Sequence, residues 1–290
     1  MVNHDTVREI QILAARIRRD IVMMIGDKGQ VGHLGGACSC ADILASLYGS
    51  KLRFNPADPL WDDRDKFICS KGHAAIAQYA AMAEMGYFPV EELLTVKQLG
   101  SRLQGHPDRL KTPGIEAGTG SLGQGLSIAN GMALAIRLDK KNNNVYCLMG
   151  DGELAEGQIW EAAMASANFK IGNIVGIVDH NRLQAMGPCV ERFNTNPLAE
   201  KWKSFGWHVI EIDGHDVEQI LSVLDEADEI RDRPVCIIAL TVKGKAISFA
   251  ENVVSFHNGA LTPDQYDAAI KELDAQLAAL CQNRQEGHFE

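Results

Sequence analysis

The sequence lacks any run of eighteen apolar residues, so a membrane-spanning helix is not expected. A signal peptide is not expected either, because Arg8, Glu9, Arg16, Arg18 and Arg19 interrupt the apolar residues of its beginning. No two of its seven cysteines form a CxxC pair, which removes the usual redox and zinc spacings. Cys147 and Cys236 sit inside apolar runs where small buried thiols are common, and a reduced, cytoplasmic protein is expected. An excess of positive charge is also missing. The net charge is −10, which argues against a nucleic-acid partner bound through phosphate neutralisation. The short basic cluster Arg16, Arg18, Arg19 shares a helix with Asp20 and reads as a solvated face. Internal repeats and low-complexity linkers are absent too, so residues 1–290 read as one domain with a polar, frayed tail from about Gln282.

What is present is alternation. Val7, Ile10, Leu13, Ala14, Ile17, Ile21 and Met24 recur at helical spacing up to Gly26. Further helices are expected over residues 41–48, 72–85 and 124–138, with a strand at 66–69 and a loop over 100–120. Strands at 145–149, 174–178, 207–212 and 235–240 then alternate with helices at 156–168, 198–205 and 217–227. The pattern predicts an α/β fold, a mostly parallel sheet with helices on both faces. Thr262, Pro263 and Gln265 have the spacing of a helix start, and Ile270, Leu273, Leu277 and Leu280 supply that helix's apolar stripe.

In an open parallel sheet, ligands bind beyond the carboxyl ends of the strands. Gly150-Asp151-Gly152-Glu153, Asp179-His180-Asn181 and Lys243-Gly244-Lys245 all follow strands, and Gly118 to Gly123 precedes a helix. A carboxylate at Asp151 and an amide oxygen at Asn181 suit a hard divalent cation, Mg²⁺ or a relative, that completes its shell with phosphate and water. Flanking glycines let backbone approach a phosphate, and the next helix offers unpaired N–H groups. A lone Gly-Asp-Gly is also a common turn. A dinucleotide site is the competing reading of Gly118-Thr119-Gly120, but that run follows a loop rather than a strand.

Gly150-Asp151-Gly152 followed by Asn181 resembles the motif of thiamine-diphosphate enzymes, and among them the chain resembles transketolases over nearly its whole length. The similarity rests on Gly32-His33-Leu34-Gly35, Ser70-Lys71-Gly72-His73-Ala74, Gly105-His106-Pro107, Thr119 to Gly125, Gly150 to Gly157, Val178 to Asn181 and Val242 to Lys245. The resemblance implies Asp151, Asn181 and the main-chain oxygen of Leu183 as metal ligands. It implies diphosphate contacts from Gly150, Gly152, His73 and His257, and ring contacts from Gly120 and Leu122. His33, His106 and His257 would serve proton relay and sugar hydroxyls. Glu156 would reach towards a partner's activating glutamate, with Glu161 in the same acidic network. The chain resembles the N-terminal subunit of a split transketolase, active with a separate C-terminal subunit in an α₂β₂ assembly on sugar or sugar-phosphate substrates. Leu34, Gly118 and Ala246 depart from the family's usual proline, threonine and glycine. Two alternatives remain open at this point: another thiamine-diphosphate enzyme, such as a deoxyxylulose-phosphate synthase or dehydrogenase component, and a non-catalytic assembly subunit. His4, His208 and His288 read as surface or core histidines, while His180 and His215 lie near the site without a role.

Overall fold

A computed structural model describes residues 3–26 and 28–286. Helix α1 (His4–Ile25) starts where Asn3 Oδ1 accepts from Asp5 N at 3.0 Å and ends at Gly26, whose φ is 66°. Then come α2 (Leu34–Ser39), α3 (Ala41–Ser46) with a π-helical turn over Leu47–Lys51, β1 (Lys66–Cys69), a 3₁₀ turn at Gly72–Ala74 and α4 (Ala75–Glu84). Residues 100–120 form no helix or strand, as expected. They lead into α5 (Gln124–Leu138), β2 (Val145–Gly150), α6 (Gly157–Asn168) and β3 (Ile174–His180). A small hairpin, β4 (Leu183–Gln184) and β5 (Gly187–Pro188), precedes α7 (Cys189–Arg192), α8 (Leu198–Ser204), β6 (His208–Asp213), α9 (Val217–Glu229) and β7 (Val235–Leu240). The last helix, α10 (Pro263–Glu286), opens on a reciprocal cap. Gln265 N donates to Thr262 Oγ1 at 3.2 Å, and Thr262 N donates to Gln265 Oε1 at 3.0 Å. This helix runs past the expected start of the polar tail to Glu286, and residues 287–290 lie outside the described residues.

The main sheet has the order β1-β2-β3-β7-β6 and is parallel throughout. Alternate residues of its strands serve two cores. Val145, Cys147 and Met149 of β2 pack with α5, α6 and α8, around Leu126, Ile159 and Trp202. Tyr146 and Leu148 face the other layer, built from α1, α3, α4 and α9 around Ile17, Leu44 and Leu224. The two-faced α/β expectation is therefore met.

One reading is corrected. Arg18 and Asp20 are buried, not part of a solvated face, because α1 is packed against α3, α4, α9 and α10 on several sides. Burial of Arg18 is tolerated because its guanidinium forms a two-pronged ion pair with Asp42. No helix among the described residues is long and apolar enough to cross a membrane.

An isolated antiparallel bridge joins the two ends of the fold. Gly32 N donates to Gly259 O at 2.9 Å, and Gly259 N donates to Gly32 O at 3.0 Å. It ties the segment entering α2 to the segment entering α10.

Candidate functional site

Because β2 and β3 are in register, with Gly150 opposite Asp179, the residues that follow them emerge side by side. Asp151 directly follows β2 and Asn181 directly follows β3. A cleft of about 290 Å³ opens there, at the carboxyl ends of the strands. It brings together His33, His73, His106, Gly120, Leu122, Gly150, Asp151, Gly152, Asn181, Leu183 and His257. Glu156 and Glu161 are not in it; both are exposed, Glu156 as the residue capping the start of α6 and Glu161 within that helix. A larger cavity of about 760 Å³ lies at the opposite end of the sheet, but its charges are paired with one another, Lys51 with Asp225 and Asp228, Arg53 with Asp65. The smaller cleft holds the convergent chemistry, and chemistry rather than volume identifies the site.

One wall of the cleft is a set of hard oxygens. Asp151 Oδ1 accepts from Gly152 N at 2.7 Å, and its other oxygen accepts from Arg182 N. Asn181 Oδ1 accepts from Leu183 N at 3.1 Å. Leu183 O accepts from the Lys243 ammonium at 2.7 Å, so this oxygen already receives a cation. Burial, helped by the nearby Asp179 charge, raises the Asp151 pKa to about 6. Burial and then Lys71 lower that of Lys243 to about 8. Among the described residues no three His, Cys, Asp or Glu side chains are grouped to hold a metal ion. Carboxylate, amide and carbonyl oxygens on one wall are instead the donor set that suits Mg²⁺ beside a phosphate. The residues therefore fit a Mg²⁺-diphosphate group.

The floor of the cleft was not legible from motifs alone. Glu153 accepts from Ser70 Oγ at 2.5 Å, Gly123 N at 2.9 Å and Gly150 N at 3.0 Å, joining the segments after β1, before α5 and at the end of β2. Lys71 and Asp179 form an ion pair with side chains 1% and 0% exposed. Lys71 also donates to Gly36 O at 2.6 Å. The signal was available in Asp179: an ionised residue inside an apolar strand requires a buried partner.

The other wall is imidazole. Ring centroids lie 5.1 Å apart for His33 and His73, 6.2 Å for His33 and His106, 5.6 Å for His33 and His257, and 5.3 Å for His73 and His257. Burial lowers all four pKa values, with nearby lysines adding to it. His33 and His257 fall to about 4 and His73 to about 2, and His106 moves the same way. All four are neutral at pH 7, each with one N–H and one bare nitrogen. Lys243 Nζ stands 2.9 Å from His257 Nδ1, and an ammonium only donates, so Nδ1 is the bare nitrogen there. Gly120 has a φ of 139°, and a Cβ at that position would lie 2.7 Å from His106 Cδ2, so glycine is required for the loop to pass the ring.

The remaining histidines divide. His215 Nδ1 lies 2.7 Å from Asp42 Oδ2, and its Nε2 accepts from Val242 N at 2.8 Å, bracing the Lys243 loop from behind. His180 lines a neighbouring cavity with Arg182 and Cys189. His208 pairs with Glu226 on the surface, His4 is exposed, and His288 lies outside the described residues.

Known proteins resemble the chain over nearly its whole length. Residues 9–279 match the family described as transketolase, thiamine diphosphate binding domain. The 6-deoxy-6-sulfo-D-fructose transketolase subunit SqwG of Clostridium sp. (strain MSTE9) is 42% identical over 93% of this chain and 98% of its own length. An apulose-4-phosphate transketolase subunit of Phocaeicola vulgatus is 38% identical over 94% of this chain and 97% of its own. Among solved structures, the transketolase of Campylobacter jejuni superposes with a TM-score of 0.84 at 29% identity, covering 96% of this chain and 46% of that one. The chain thus spans just under half the length of that solved transketolase. It belongs to the transketolase family, and the part matched is that family's thiamine diphosphate binding domain.

Proposed function

We propose that this chain is the diphosphate-binding subunit of a transketolase that uses thiamine diphosphate and Mg²⁺ and moves a two-carbon ketol unit from a ketose to an aldose. The observation that carries the reading is the cleft itself, where three hard oxygens face four neutral histidines. Asp151, the Asn181 amide oxygen and the Leu183 carbonyl would hold Mg²⁺. Gly150, Gly152, His73 and His257 would meet the diphosphate, joined by the Lys243 ammonium, a contact the motifs did not suggest. Gly120 and Leu122 would border the cofactor's rings. Bound thiamine diphosphate supplies the electron sink for breaking and remaking the bond beside the ketose carbonyl. The protein's part is proton handling and orientation. The bare nitrogens of neutral His33 and His106 accept hydroxyl protons and their N–H groups return or orient them, while His257, whose bare Nδ1 already accepts from Lys243, offers only its Nε2–H to orient a hydroxyl or phosphate oxygen.

Residues 1–290 form one domain in this reading. The relatives matched over nearly their full length are named as subunits, which supports a second polypeptide as partner. Exposed Glu156 and Glu161 would face that partner in an α₂β₂ assembly. The names of the relatives, a sulfonated fructose and a phosphorylated apulose, support a ketose with an anionic group away from its carbonyl. Six of the seven cysteines are buried free thiols, which supports a reducing, cytoplasmic setting.

The test is a ketol-transfer assay on the chain alone and co-expressed with a candidate second subunit, with ketose donors set against pyruvate. Transfer from a ketose only in the presence of the partner is expected. Robust transfer by the single chain, or turnover of pyruvate in place of a ketose, would refute the reading.

A further inference from the structure

Asp179 lies beneath the cleft, fully buried, and is not part of its wall. Its Oδ2 accepts from Ser39 Oγ at 2.6 Å, from Asn181 Nδ2 at 3.1 Å and from the Lys71 ammonium. Its Oδ1 accepts from Thr241 Oγ1. The donors come from α2, from the segment after β1, from the residue after β3 and from the segment after β7. Asp179 is therefore held from several sides and cannot easily move to suit a neighbour.

This matters for Asn181, whose amide ends differ only in oxygen against NH₂. An ionised carboxylate only accepts, so the end facing Asp179 must be the NH₂. The oxygen then turns the other way, where the Leu183 N–H meets it at 3.1 Å. A flipped amide would set oxygen against carboxylate and NH₂ against N–H, two repulsions in a buried place. Orientation of this amide decides what the cleft presents: oxygen draws a cation, NH₂ repels one.

We propose that Asp179 is the positioning residue that locks the Asn181 amide with its oxygen towards the cation site, and that divalent-cation affinity depends on this lock. The proposal rests on the reading of Asn181 as a metal ligand. Asp179 acts only through Asn181 and touches neither the cation nor the sugar.

The full chain, with saturating thiamine diphosphate, is titrated with Mg²⁺ by calorimetry and by the Mg²⁺-dependent rise in melting temperature. Asp179→Asn gives the Asn181 amide a neighbour that can donate or accept, and Mg²⁺ affinity is expected to fall by about tenfold to a hundredfold. The double variant Asp179→Asn/Asn181→Asp exchanges amide and carboxylate. It keeps the net charge and a nearby counter-ion for Lys71, and a carboxylate presents oxygen whichever way it turns. Affinity is expected to return to within about threefold of wild type. A merely structural role predicts no such rescue, so a folded double variant as weak as Asp179→Asn overturns the proposal, as does unchanged affinity in Asp179→Asn. If Asp179→Asn fails to fold, the double variant decides alone: Mg²⁺ binding supports the lock and its loss overturns it. Undiminished binding in Asn181→Ala, or none in the wild-type chain, refutes instead the reading of Asn181 as a ligand.

Discussion

The ammonium of Lys243 lies 2.7 Å from the carbonyl oxygen of Leu183 and 2.9 Å from His257 Nδ1, so one buried cation links the oxygen wall of the cleft to the imidazole wall. An ammonium has three donors, which leaves one for an incoming anion. Lys243→Met should weaken thiamine diphosphate binding at saturating Mg²⁺ by about tenfold to a hundredfold, the usual worth of a charged hydrogen bond. Calorimetric titration measures it. An unchanged affinity would confine Lys243 to bracing Leu183.

Asp151 should show a conflict between stability and function. A carboxyl whose folded pKa, here about 6, exceeds its unfolded value holds an extra proton in the folded state. Its contribution to stability is present at low pH and is lost as pH rises through about 6. At pH 8 the metal-free wild type therefore carries a destabilising charge. Asp151→Asn should melt above wild type there, by something on the order of 1–2 kcal/mol of stability. With Mg²⁺ and thiamine diphosphate added, the order should reverse, because only the wild type binds them. A metal-free variant that melts below wild type would mean that the bonds to Gly152 N and Arg182 N outweigh the buried charge.

The histidines act with the opposite sign. His33 and His257 titrate near 4 in the folded chain, against about 6.5 for an unperturbed imidazole. Between those values the unfolded chain takes up protons that the folded chain refuses, so stability falls as pH drops through that window. Urea midpoints at pH 7, 6 and 5 should decline for wild type and decline less for the double variant His33→Gln/His257→Gln. Equal slopes would show that these two rings do not govern acid sensitivity.

Glu156 should matter only after assembly. It is exposed at the start of α6 and its side chain makes no capping bond there. Glu156→Gln is expected to leave Mg²⁺ uptake by the isolated chain unchanged and to lower turnover of the assembled enzyme by about tenfold to a hundredfold. Steady-state kinetics alongside titration of the isolated chain separates the two effects. A loss of Mg²⁺ binding in the isolated chain would move Glu156 into the cleft's own framework.

The sheet and the cleft's outline were readable because both follow from periodicity. Apolar strands end where Asp151 and Asn181 begin, and the parallel arrangement sets those ends side by side. α2 was not readable. Its sequence Leu-Gly-Gly-Ala-Cys-Ser carries two glycines and a serine, poor helix formers, and it is helical because every residue in it is buried. Lys71, Glu153, Asp179 and Lys243 lie inside the motifs, but the motifs give them no roles. Their parts depend on which segments meet in space, and no spacing along the chain encodes that Ser39 and Thr241 converge on Asp179. The surface reading of Arg18 failed for the same reason, since its partner Asp42 belongs to another helix.

The Gly32–Gly259 bridge bears on how the chain is made as well as on its finished form. His33 adjoins one end of that bridge and His257 lies two residues from the other, and their rings stand 5.6 Å apart. During synthesis, which proceeds from the amino end, helices and the first strands can form as they leave the ribosome. The imidazole wall cannot. It is complete only once His257 has emerged to meet His33 and His73, and a chain interrupted after β7 has every strand of the main sheet but lacks that ring. Contacts of such long sequence separation are also the slowest to form in refolding, so cofactor uptake should lag the recovery of secondary structure.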